Sequence, residues 1–128
     1  MQARLLLVHS PLAGSATWHP VAADLARRGY DVGVPGLTGT VAAGPPYCPR
    51  QAEAIASRAS GQPAILIGHS GAGPLLAAAG AIIGGARGYL FVDAGLPFPG
   101  QTWLRFWPSS FPIRMRGSTL RPAAPSCH

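Results

Sequence analysis

Residues 64–76 read Ala64-Ile65-Leu66-Ile67-Gly68-His69-Ser70-Gly71-Ala72-Gly73-Pro74-Leu75-Leu76. The run from Ala64 to Gly68 is short, apolar and rich in isoleucine and leucine, which fits a buried parallel strand. From Gly71 to Ile83 the residues are small and apolar almost all round, the pattern of a deeply buried helix. Ser70 stands at the junction, with Gly68 two positions before it and Ala72 two positions after. A nucleophile elbow needs this setting: the serine sits on a strained strand-to-helix turn, and the close passage of strand and helix demands small residues on either side. The strict pattern has glycine at both positions, so Ala72 is a mild departure. The Gly71 amide, at the N-terminus of the helix, is placed to receive a developing oxyanion. The plainer reading of these residues is an ordinary Gly/Ser turn. Two phosphate-binding readings fail. A dinucleotide fingerprint needs glycine or alanine where Leu76 stands, and a P-loop needs lysine, of which the chain has none.

Working outward, residues 3–9 form another short apolar run, a first parallel strand. Residues 18–28 fit a helix, with Thr17 as N-cap, Pro20 tolerated in the first turn, and Trp18, Val21, Ala22 and Leu25 on one face. Gly29 is a natural stop. Tyr30 to Pro35 gives a second strand, and Gly36 to Pro46 a Gly/Pro-rich loop. Residues 49–60 make a second helix with Ala52, Ile55, Ala56 and Ala59 inward. Gly88 to Val92 is a fourth strand, ending at Asp93. Strands alternating with helices at this spacing predict an α/β fold, a three-layer sandwich with a parallel sheet of about four strands and helices on both faces.

The totals narrow the function classes. The chain has 128 residues, enough for one domain, and nearly half of them are apolar, which excludes disorder by composition. No apolar run approaches a bilayer span or a signal-peptide core, so the expectation is a cytoplasmic protein without a membrane partner. The net charge is +6 and every basic residue is arginine. The arginines are scattered and not interleaved with aromatics, so nucleic acid is not expected as a partner. Cys48 and Cys127 form neither a disulfide framework nor a metal spacing and read as ordinary free thiols.

Three stretches together carry a resemblance. His9, Gly14 and Trp18 follow an H-x4-G-x3-W spacing after the first strand. Gly68 to Gly73 form the turn described above. Phe91-Val92-Asp93-Ala94-Gly95-Leu96-Pro97 leave the fourth strand. Over about residues 3–102 this pattern resembles the small esterases and hydroxynitrile lyases of the α/β-hydrolase superfamily. The resemblance implies a strand order of second, first, third, fourth. It also implies hydrolysis of an ester or similar acyl bond in a small-molecule substrate, with no metal or organic cofactor. Ser70 would be the nucleophile and the Gly71 amide one oxyanion donor. The second donor normally comes from the loop after the first strand, but here that loop is His9-Ser10-Pro11, and proline has no N–H; the Leu12 amide is the substitute. Asp93 is the candidate triad acid, against a plain role as a turn former. His9 more simply organises its loop, the turn directs the His69 side chain away from the serine, and His19 is solvated.

The triad order in this superfamily is serine, acid, histidine. Only His128 follows Ser70, and from Ala94 onward the chain holds six of its fourteen prolines and no acidic residue. The expectation is that residues 1–102 are the N-terminal part of an α/β-hydrolase domain. Residues 103–128 would then be an irregular Pro/Arg-rich tail, read from another frame, and the truncated form would be inactive. The alternative is a non-catalytic fragment or binding module that keeps the fold. Either way the fourth strand becomes an exposed sheet edge through which the chain self-associates.

Overall fold

The structure, a computed structural model, describes residues 2–96. The expectations for residues 97–128, including the tail and His128, lie outside the described residues. Four strands, β1 (Arg4–Val8), β2 (Val32–Gly33), β3 (Ala64–His69) and β4 (Ala86–Val92), form one parallel sheet in the order β2-β1-β3-β4. The helices are α1 (His19–Arg27), α2 (Thr38–Ala42), α3 (Tyr47–Ser57) and α4 (Gly73–Ile83). Each strand is returned to the sheet by helix-bearing chain, as parallel pairing requires. This is an α/β architecture.

Alternation along the strands divides the core into two layers. Leu6, Val8 and Leu66 point to the face covered by α3 and α4, where Ile55, Ala52, Leu75, Leu76 and Ala79 meet them. Leu7 and Ile67 point to the other face, under Trp18 and the α1 residues Ala22 and Leu25. The strands are therefore buried on both sides at the centre of the sheet, which is why they read as continuous apolar runs rather than alternating ones.

Several local expectations are corrected. Thr17 does not cap α1; a 3-10 turn over Ser15–Trp18 leads into the helix, and no side chain caps either segment. Val21 is exposed while Ala22 and Leu25 pack inward. The stop at Gly29 has its expected cause: with φ +87, Gly29 lets its own N–H reach Ala26 O and the Tyr30 N–H reach Leu25 O, closing the last carbonyls of the helix. The second strand is only two residues long, and the loop after it contains the short α2. Ala52 and Ile55 are buried as expected, joined in α3 by Cys48 and Gln51; Ala59 is buried just past the end of the helix, and Ala56 is only half-buried. Cys48 is disulfide-bonded, which corrects the expectation of a free thiol there; the chain's other cysteine, Cys127, lies outside the described residues. Helix α4 is less deeply buried than its composition suggests, because Ala77, Ala81 and Ile82 face outward.

Two glycines set how closely α4 rides over the sheet. A Cβ on Gly68 would stand 2.9 Å from a Leu76 methyl. A Cβ on Gly80 would meet the Tyr89 hydroxyl. No helix among the described residues is long and apolar enough to cross a membrane.

Strand β4 is the outermost described strand on its side. It pairs with β3 alone among the described residues, and Tyr89, Leu90 and Val92 on it are exposed, Leu90 by 53%. Outer strands with uncovered apolar side chains pair or stack with other chains. The purified chain should therefore show species heavier than a monomer by light scattering at micromolar concentration, and Leu90→Lys should shift the population toward monomer. A wild-type chain that stays monodisperse and monomeric contradicts this.

Candidate functional site

The site is built at the C-terminal end of β3. His69 is the last strand residue, and Ser70 leaves it with φ +55. That is the left-handed region, which a residue with a Cβ occupies at a cost of roughly 1–2 kcal/mol. Ser70–Ala72 form a 3-10 turn, and α4 begins at Gly73. The left-handed residue reverses the chain within one step, so α4 runs back over the strand it has just left. This return path is what brings Leu76 onto Gly68, and it leaves no room there for a larger residue. Ala72 is fully buried, and its methyl group fits where the strict pattern has glycine.

The Ser70 side chain is partly exposed. No imidazole or carboxylate hydrogen-bonds its hydroxyl among the described residues. The Gly71 N–H belongs to the first turn of the helical segment, where backbone donors lack intrahelical acceptors.

The loop after β1 lies on the same sheet edge, since Val8 is in register with Gly68. His9 is fully buried and both its ring nitrogens are engaged. Its Nδ1 stands 2.7 Å from Ser10 O, and its Nε2 accepts the Leu37 N–H at 3.1 Å. An Nε2 that accepts leaves the proton on Nδ1, so the ring donates to Ser10 O. His9 thus ties the loop after β1 to the start of α2. The Leu12 N–H, the substitute oxyanion donor from the sequence, donates to Ser10 Oγ at 3.2 Å, and the Ala13 N–H donates to Ser10 O at 2.9 Å. The buried Ser10 therefore closes this loop on itself.

Trp18 and His69 meet edge to face, ring centroids 6.2 Å apart. Trp18 belongs to the buried cluster on the α1 side of the sheet. His69 is directed toward Trp18, so adjacency to Ser70 in sequence does not bring its ring to the serine. His19 is exposed on α1.

Asp93 follows β4 with φ +45, and its side chain is exposed. Among the described residues its carboxylate has no ion-pair partner. The turn it opens, through Ala94, carries Gly95 onto the Ser70 turn: the Gly95 N–H donates to Ser70 O at 3.2 Å. The sequence places Gly95 in the stretch that leaves the fourth strand but does not connect it to Ser70. A single sequence holds no signal for that contact beyond the glycine itself. Among the described residues no three His, Cys, Asp or Glu side chains converge to hold a metal ion. The hollow of about 390 Å³ lined by Glu53, Ile82 and Ile83 lies at the far end of α4, some 15 Å along the helix axis from the serine, and is not part of this site.

No protein-family model, curated protein or solved structure matches this chain.

The role of His9 has a measurable consequence. Replacing it with phenylalanine keeps the bulk but leaves the buried Leu37 N–H without an acceptor, a loss of about 1–3 kcal/mol. Guanidinium unfolding of His9→Phe should show that destabilisation with an unchanged slope. Wild-type stability in His9→Phe would mean that the Leu37 bond is not formed.

Proposed function

We propose that this chain carries the nucleophile side of a serine hydrolase of the α/β-hydrolase kind, acting on ester or similar acyl bonds of a small molecule. One observation supports the reading above the others: a serine, not a glycine, occupies the left-handed position between a central parallel strand and the helix that returns over it. Strained backbone of this sort persists where the surrounding structure over-determines it, and it gathers at functional sites. The strand order β2-β1-β3-β4 is the one the hydrolase resemblance implies.

In this mechanism Ser70 Oγ attacks the acyl carbonyl carbon and forms the C–O bond. The carbonyl π electrons move onto oxygen, and the Gly71 N–H stabilises the charge that develops there. Turnover then requires a base that takes the hydroxyl proton and returns it to the leaving group, and a water that cleaves the resulting acyl-serine ester and frees the acid and the serine hydroxyl; among the described residues no imidazole hydrogen-bonds the Ser70 hydroxyl. His9 cannot serve while both its ring nitrogens are engaged, and His69 is packed against Trp18. His128, the only histidine after Ser70, lies outside the described residues. The Leu12 amide contributes a second donor only by leaving Ser10 Oγ. A single oxyanion donor of this kind typically carries about 2.7–4 kcal/mol.

A second reading has its own support. The committed His9 ring and Leu12 amide favour a binding module that keeps the fold and the strained serine without turnover.

A fluorophosphonate probe separates the two. The hydrolase reading expects covalent labelling of the folded chain that disappears in Ser70→Ala. Well-folded protein that takes up no probe would sink it and leave the binding module.

A further inference from the structure

Gly95 meets the serine turn from two sides. Its N–H donates to the Ser70 carbonyl, and its own carbonyl oxygen occupies the place where a Cβ on Gly73 would stand. The Ser70 carbonyl also accepts the Gly73 N–H, so the two glycines converge on one acceptor. Asp93, in the left-handed region, turns the chain as it leaves β4 and delivers Gly95 to that point.

The Ser70 carbonyl and the Gly71 N–H belong to the same peptide unit. That unit is planar, and in the trans form its C=O and N–H point in opposite directions. Whatever holds the carbonyl therefore aims the amide. We propose that Gly95 is a positioning residue: by holding the Ser70 carbonyl it orients the Gly71 N–H as the oxyanion donor and keeps Ser70 in its left-handed conformation. Gly73 has to be glycine because the Gly95 carbonyl packs on its Cα. The functional consequence rests on the hydrolase reading; the coupling of Gly95 to the Ser70–Gly71 peptide does not.

The test uses the full chain labelled with ¹⁵N and ¹³C. In the wild type the Gly95 amide should be protected from hydrogen exchange. In Gly73→Ala the added methyl displaces Gly95. The Gly95 amide should then exchange at least about tenfold faster, with a shift in the Gly71 amide resonance and in Ser70 ¹³Cα, while the β1 and β3 ladder amides stay protected. Gly80→Ala is the control. It crowds the same helix against β4 at the tip of the Tyr89 side chain and should leave the Gly71, Ser70 and Gly95 signals in place. A folded Gly73→Ala chain with unchanged Gly95 exchange and Gly71 shift overturns the proposal. Should Gly73→Ala not fold, a wild-type Gly95 amide that exchanges as fast as unstructured chain overturns it equally. Failure of fluorophosphonate labelling in a chain whose Gly95 amide is protected would overturn the hydrolase reading alone.

Discussion

At one point a serine with a Cβ must take a left-handed backbone conformation so that the chain can leave β3 and return over it as α4. The rest of the fold is arranged around that reversal. Leu76 can lie on Gly68 only because the helix comes back so closely, and the buried layer of Leu6, Val8, Leu66, Ile55 and Leu75 follows from the same approach. The strain at Ser70 is small beside the apolar area that this packing buries, since each large aliphatic side chain removed from water contributes about 1.5–3 kcal/mol. The same geometry lifts the serine to the end of the sheet where β1, β3 and β4 all deliver their loops.

Those loops have different roles. The one after β1 is bound to itself and to the start of α2, through Ser10 and the His9 ring, so its polar groups serve structure. The one after β4 is bound to the serine turn through Gly95. The conformation of the Ser70 turn is thus tied to the exit from β4, while the His9 and His69 rings are engaged elsewhere. Asp93 is part of that exit: its left-handed backbone shapes the turn, whatever its carboxylate does.

The main outlines were legible in the chain because they rest on local chemistry. The runs Leu5–Val8 and Ala64–Gly68 are short and continuously apolar, the pattern of central parallel strands between helices. The small residues about Ser70 announce a close crossing. What could not be read depends on partners distant in sequence. The two-residue β2 is limited by its pairing with Leu5 and Leu6, not by the apolar stretch from Tyr30 to Pro35. The 3-10 entry to α1 places Trp18 over Leu7 and against His69, where a Thr17 cap would have started the helix differently. The outward face of α4 reads as core because Ala77, Ala81 and Ile82 are apolar, yet all three are exposed. The hold of Gly95 on Ser70 spans 25 positions and has no signature in composition or period.

The central claim is that Ser70 is held left-handed by the structure around it. The stabilities of Ser70→Gly and Ser70→Ala, compared by denaturant unfolding, test it by sign. At a left-handed position glycine avoids the Cβ strain, so Ser70→Gly should be the more stable variant by about 1 kcal/mol. At an ordinary strand or helix position glycine is instead the less stable by about 0.5–1 kcal/mol. Glycine above alanine supports a strained serine at the junction of β3 and α4; glycine below alanine contradicts it.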